Sequence, residues 1–520
     1  MAYDPARPTT ATAGKSGAPS ASADGGGSAP IVDRLGVRHH QVEADGGTVR
    51  YTTTTGRLVL QRERAAEKPD EAGRWEGAKP RAEVFFVAYT RDGVRDPGAR
   101  PVTFSFNGGP GSSSVWMHLG LLGPRRVRLQ DDGMAVAPPY ELVDNVHTLL
   151  DTTDLVFVDP VSTGFSRAAP GEKPKDFHGF DGDVESVGDF IRLWVARFGR
   201  WSSPKFLIGE SYGTTRAAAL AGYLQERHAL YLNGLMLVSS VLDFATVRFE
   251  PGNDLPPLLF LPAYAAAAHY HRALPADLQA RPLADVLVEV ETWSLAEYGP
   301  ALLLGDALPD ERADAVARQL ARYTGLDPAY VRRSRLRIDI HRFCKELLRD
   351  RGRTVGRIDA RYTGVDRDDA GATPEFDPSM GATTGAYGAT INDYVRRELG
   401  FESDLPYEVI QGLYASWDYG RFQNRYVNVA ETLRKAIAVH PFLKVFVASG
   451  SFDLATPQFA TRYTLDHLGL PPHLRGNLVE RRYDGGHMMY VDLEILAQMK
   501  RDLAAFVRDA SAPGRSAPDA

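Results

Sequence analysis

Five short apolar runs, each bounded by turn-forming residues, constrain this chain more than any other feature: Val102 to Phe106, Leu155 to Val158, Phe206 to Ile208, Leu235 to Val238 and Val445 to Ala448. A strand that is apolar without interruption, rather than at every second position, has both faces buried, which is the condition of a parallel sheet covered by helices on each side. Helical patterns fall between the runs. Thr214 to Leu224 is alanine-rich, and Leu496, Met499, Leu503 and Phe506 recur along one helix face, so each segment reads as a helix laid against the sheet. Upstream, Val49-Arg-Tyr-Thr-Thr-Thr-Thr and Val84-Phe-Phe-Val-Ala-Tyr-Thr cluster β-branched and aromatic residues between glycine-rich breaks, the pattern of antiparallel strands entering a sheet. The expected class is α/β, with a central, mostly parallel sheet.

From Ser240 to Leu443 the pattern is mainly helical; Val316, Leu320 and Tyr323 mark one helix, stopped at Gly325, while Asp366 to Tyr387, rich in Gly, Asp and Thr, predicts long loops. The chain therefore divides into a disordered tail over residues 1–33, a first part of the core over 34–244, an inserted, largely helical cap over 245–440, a second part of the core over 441–510, and a second disordered tail over 511–520. The tails are nearly all Ala, Gly, Ser, Thr, Pro and Asp, with too few large apolar side chains to offset the entropy of ordering a backbone. At 520 residues, 43% of them hydrophobic and 24% charged, the remainder can bury a sizeable core.

A formal charge of −6 and the absence of Lys/Arg runs argue against nucleic acid or an anionic membrane as partner. Cys344 is the only cysteine and can make no internal disulfide, which suits a reducing compartment. Met1 to Asp33 lacks the apolar stretch of a secretory signal, so a cytoplasmic location is expected, with secretion left open. No histidine or cysteine spacing suggests a metal site, and no cofactor is expected.

Gly209-Glu-Ser211-Tyr-Gly213 follows the apolar run ending at Ile208 and opens the alanine-rich helix. A sharp strand-to-helix turn of this kind projects a serine hydroxyl into a cleft and aims the helix N-terminus at developing negative charge. A serine hydroxyl needs a base, and the base needs a carboxylate to hold it. Two downstream positions supply them: Asp453 in Ser449-Gly-Ser-Phe-Asp453, and His487 in Asp484-Gly-Gly-His487-Met-Met. Both follow predicted strands, where open α/β sheets build their sites, and the order Ser, Asp, His is that of α/β-hydrolases. His39, His40, His118, His269 and His271 lack this setting and read as structural; Asp484, three residues before His487, reads as a turn residue.

These segments, with Asn107-Gly-Gly-Pro-Gly111-Ser-Ser and Asp159-Pro-Val-Ser-Thr-Gly-Phe-Ser166, resemble the serine carboxypeptidase family over roughly residues 50–508, in the form of a bacterial member without disulfides. The resemblance implies an α/β-hydrolase fold, the triad Ser211, Asp453 and His487, and an oxyanion hole from the N–H groups of Gly109 and Tyr212. It further implies that Asn107 and Glu210 bind the substrate's terminal carboxylate. Two positions depart from the family pattern: Ser105 stands where it has tryptophan, and Leu121 where it has glutamate.

The expected activity is that of a serine-type carboxypeptidase, releasing C-terminal residues through an acyl-enzyme, with a peptide substrate as partner. The alternatives are an esterase or acyltransferase with the same triad, which a thinned carboxylate site would suit, or a catalytically silent binding module. Assembly as a homo-oligomer stays open.

Overall fold

The computed structural model describes residues 31–65 and 74–514. Its main sheet contains nine principal strands: β1 (Arg34–Ala44), β2 (Gly47–Ala65), β3 (Trp75–Arg91), β4 (Val102–Phe106), β5 (Asp154–Val158), β6 (Lys205–Glu210), β7 (Gly234–Val238), β8 (Lys444–Gly450) and β9 (Leu478–Tyr483). Their spatial order is β1-β2-β3-β5-β4-β6-β7-β8-β9, and the two-residue strand Arg167–Ala168 adds to β3. From β1 to β5 neighbours run antiparallel; from β5 to β9 all are parallel. The fold is thus a mixed, mostly parallel sheet flanked by helices.

The five apolar runs fall in β4 to β8, and their side chains divide between two cores. Phe104, Val156, Leu207, Leu237 and Val447 point to one face, where the helices Phe180–Arg197, Tyr212–His228 and Ala430–Val439 contribute Trp194, Leu220 and Leu433. Their sequence neighbours Leu155, Phe157, Phe206, Ile208, Met236 and Phe446 point to the other, against Leu496, Met499, Leu503 and Phe506 of the helix Leu493–Ser511. Alternating side chains with both faces apolar produce the unbroken runs seen in the sequence.

The insertion between β7 and β8 has no single location. Leu255–Tyr270, Leu283–Trp293 and Asp310–Thr324 are helices around a separate core that includes Tyr264, Val290, Leu320 and Phe343. The helix carrying Val316, Leu320 and Tyr323 ends at Gly325, as its spacing predicts. Pro378–Arg397 instead packs Tyr387, Ile391 and Tyr394 on the sheet, and Ala430–Val439 packs Leu433 and Ile437 on the other side. The loops expected up to Tyr387 therefore give way to helix from Pro378. Asp377 caps that helix by accepting from Ser379 N at 3.0 Å, and burial of its apolar stripe overrides the weak propensity of Gly and Thr.

The two expected tails fall mainly outside the described residues. At their margins, Asp33 accepts from Val59 N at 2.8 Å and Ser511 closes the last helix. Among the described residues no helix is long and apolar enough to cross a membrane.

Candidate active site

β4 leads into a neighbour on one side (β5) and β6 lies on its other side, so the strand order reverses between β4 and β6. Loops leaving the carboxyl ends of two such strands diverge and leave a crevice. The segment after β4 holds Asn107 to Gly111, and the one after β6 begins at Ser211. Asp453 follows β8 and His487 follows β9. Four loops thus converge at one end of the sheet, around a cleft of about 840 Å³ lined by Asn107, Gly109, Glu210, Ser211, Tyr212 and His487.

Ser211 has φ 60° and ψ −128° and precedes the helix Tyr212–His228. This conformation is strained for a residue with a side chain, at a typical cost of about 1–3 kcal/mol. It is held by Ser211 N donating to Val238 O at 3.0 Å and Thr214 N donating to Ser211 O at 2.8 Å. Close packing explains the flanking glycines: a Cβ on Gly209 would lie 2.1 Å from Gly213 O, and one on Gly108 would lie 2.5 Å from Tyr212 N. The second value shows how closely the Asn107–Gly111 loop approaches the start of the helix Tyr212–His228. Gly109 is exposed to the cleft, and Tyr212 N belongs to the first helical turn, whose N–H groups have no intrahelical acceptor. Both residues line the cleft beside Ser211.

His487 Nδ1 lies 2.7 Å from Asp453 Oδ2. Asp453 is fully buried, and its other oxygen accepts from Ala455 N at 2.7 Å and Thr456 N at 3.0 Å. Thr456 Oγ1 adds a bond to Asp453 Oδ2 at 2.8 Å. The backbone of His487 is fixed from both sides: its N–H donates to Ile358 O at 2.7 Å, and its C=O accepts from Ser239 Oγ at 2.6 Å. Burial favours a neutral Asp453, but the charge and hydrogen bond of His487, with the Thr456 bonds, hold its carboxyl below the usual range. Burial likewise opposes an imidazolium at His487; Asp453 and then Glu210 outweigh it and move its pKa upward. Fixed charge on Asp453 and a stabilised imidazolium are what a general base must have when it takes a serine proton.

Glu210 is buried beside Ser211. Its Oε1 accepts from Asn107 Nδ2 at 2.9 Å and its Oε2 from Tyr490 OH at 2.5 Å. Desolvation raises its pKa to about 7, against the lowering effects of His487, Tyr490 and Asn107. Asn107 is itself fixed, accepting from Met117 N at 3.2 Å through Oδ1 and from Arg216 Nη1 at 2.6 Å through its carbonyl. Ser105 and Leu121 are buried in the sheet layer and the adjoining core, where they add no charge to the site.

The structure brings Asn107, Gly109, Glu210, Ser211, Tyr212, Asp453 and His487 to one cleft or its immediate wall. Asp484 stands apart, accepting from Ser451 Oγ at 3.0 Å. His118 is buried against Phe157 with Nε2 2.7 Å from Tyr89 OH, and His271 Nε2 lies 2.6 Å from Ala360 O. The Asp159 segment acts as scaffold: Asp159 Oδ1 accepts from Ser114 N and Oγ, both at 2.8 Å, anchoring the residues after the Gly109 loop. Sequence reasoning missed Tyr490 and Thr456, although each lies three residues beyond a predicted triad member. Among the described residues no His, Cys, Asp or Glu group is arranged to hold a metal ion.

The family model described as serine carboxypeptidase matches residues 72–247. Serine carboxypeptidase-like 11 of Arabidopsis thaliana is 28% identical over 155 residues, covering 29% of this chain and 34% of that protein. The pheromone-processing carboxypeptidase KEX1 of Saccharomyces cerevisiae is 34% identical over 137 residues, covering 25% of this chain and 18% of that protein. The matched segments thus span about a third, or less, of the length of these curated relatives. In structure the chain is similar to the crystal structure of a prohormone-processing carboxypeptidase, Kex1(delta)p of Saccharomyces cerevisiae, with a TM-score of 0.52 and 15% identity over 88% of this chain and 91% of that one. The family match is a likeness to serine carboxypeptidases over residues 72–247, and the structural match supports the fold.

Proposed function

We propose that the chain is a serine-type carboxypeptidase that hydrolyses peptides from the C-terminus through an acyl-enzyme on Ser211. His487 takes the hydroxyl proton as Ser211 attacks the scissile carbonyl, and the amides of Gly109 and Tyr212 receive the oxyanion. His487 then gives that proton to the leaving amine, and water repeats the sequence to release the acyl group. Asp453 holds the imidazole in the tautomer with Nε2 free and stabilises its charged form.

One observation carries this reading beyond a generic serine hydrolase: Glu210, next to Ser211, is a buried carboxyl whose pKa stands at about 7. A protonated carboxyl can donate to a terminal carboxylate, whereas an ionised one repels it. A peptide-library digest read by mass spectrometry, with Ser211→Ala as control, tests the activity. Release of single C-terminal residues supports it; turnover confined to esters moves the esterase or acyltransferase reading ahead.

The same group sets an expected pH dependence. For a free-acid peptide, kcat/KM should fall as pH rises through about 7, where Glu210 loses its proton. The matching C-terminal amide should not show that fall. On the acid side both should decline as His487 becomes protonated. Glu210→Gln should abolish the alkaline-side difference and shift the acid limb to lower pH, since Glu210 raises the His487 pKa. Tyr490→Phe removes a bond that holds Glu210 ionised, so it should move the alkaline-side fall upward. Superimposable acid and amide profiles, unchanged by either substitution, would show that Glu210 does not read the terminal carboxylate.

A further inference from the structure

A second charged group lines the same cleft. Arg357 lines the cleft with Ser211 and His487 and is half-buried. Its backbone is fixed by the strand ends that carry the triad: Arg357 O accepts from Leu454 N at 3.0 Å, one residue beyond Asp453, and the adjacent Ile358 O accepts from His487 N at 2.7 Å. Arg357 is close enough to His487 for its charge to oppose the imidazolium.

Among the described residues, Arg357 makes no ion pair. Three carboxylates of the cleft or of the adjoining segment have other hydrogen-bond partners. Asp339 Oδ1 accepts from His341 N at 2.9 Å, Asp377 Oδ2 from Ile358 N at 3.1 Å and Oδ1 from Ser379 N at 3.0 Å, and Glu250 Oε2 from Tyr426 OH at 3.1 Å. The cleft's other arginine, Arg248, is exposed and lies over the Phe244 ring at 5.6 Å. A guanidinium in a partly desolvated cleft, on a fixed backbone segment and with no carboxylate at ion-pair distance, gains from an incoming carboxylate, and its planar fork suits one.

We propose that Arg357 is a specificity-determining residue that binds a carboxylate of the peptide substrate, borne either by the C-terminus or by an acidic side chain beside the scissile bond. This rests on the peptidase reading and deepens it. Glu210 would control when a free terminus is accepted, through its proton; Arg357 would supply affinity for an anionic group at any pH where the enzyme works.

The test uses the full chain and two matched peptide pairs at one pH: Glu against Gln beside the scissile bond, and free acid against C-terminal amide. In the wild type, kcat/KM should favour at least one carboxylate-bearing member by about tenfold, the scale of a charge-assisted pair in a partly desolvated site. Arg357→Gln should bring that ratio close to one, Arg357→Glu should invert it, and Arg357→Lys should restore part of it. The pair whose ratio collapses identifies the carboxylate. Fluorophosphonate labelling of Ser211 in each variant reports an intact site. No wild-type preference in either pair, or ratios that survive both Arg357→Gln and Arg357→Glu with Ser211 still labelled, would overturn the proposal. A wild-type Ser211 that resists labelling would instead overturn the hydrolase reading beneath it.

Discussion

Ser211→Ala should lower kcat/KM for any substrate by about 10³-fold or more, and His487→Ala should cost about as much, because members of a triad act as a unit. The two losses should not add: once Ser211 is gone, His487 has no serine proton to accept. The double variant should therefore be no slower than either single one, within about a factor of a few. Folding should be little affected by Ser211→Ala, since the strained turn is held by backbone bonds from Ser211 N to Val238 O and from Thr214 N to Ser211 O. Steady-state rates with melting temperatures on the same preparations check this. Near-wild-type turnover in a folded Ser211→Ala protein would remove Ser211 from the nucleophile's role.

Asp453→Asn should also lower kcat by about 10³-fold or more, through a different cause. The amide oxygen can still accept from Ala455 N and Thr456 N, so the loop should keep its shape. What is lost is the negative Oδ2 that faces His487 Nδ1 at 2.7 Å. An amide nitrogen there would donate to the ring, favour the tautomer with its proton on Nε2, and leave the imidazole unable to receive one from Ser211. The His487 pKa should fall, because Asp453 is the main group raising it. The acid limb of the residual activity should then move to lower pH. A loss in kcat with that limb unmoved would mean that Asp453 acts by holding the loop rather than by its charge.

Much of the site was legible because its residues lie at strand ends, and strand ends can be read from local pattern. The apolar run before Gly209 and the alanine-rich stretch after Gly213 mark the turn that presents Ser211. The runs before Asp453 and His487 place those residues on loops at the same end of a parallel sheet. Other residues were illegible for a physical reason. Tyr490 meets Glu210 across 280 positions of chain, and nothing in its immediate neighbours separates a tyrosine aimed into the site from one filling the core. Arg357 looks like an ordinary surface arginine until the bonds of Leu454 and His487 to its segment are seen.

The insertion shows the same division. Its helical character could be read from periodicity, but Pro378–Arg397 hid behind Gly, Thr and Asp, because its helix is stabilised by burying Tyr387, Ile391 and Tyr394 rather than by propensity. By itself, then, the sequence determined the sheet with two buried faces, the turn that carries Ser211, and the chain order of Asp453 and His487, all of which are written in patterns a few residues long. Tertiary structure alone decided which helices share the cap's core and which cover the sheet, which oxygens of Glu210 are engaged, and that Arg357 lines the cleft. Those outcomes depend on pairings between distant segments, whose free energy no local window of residues contains.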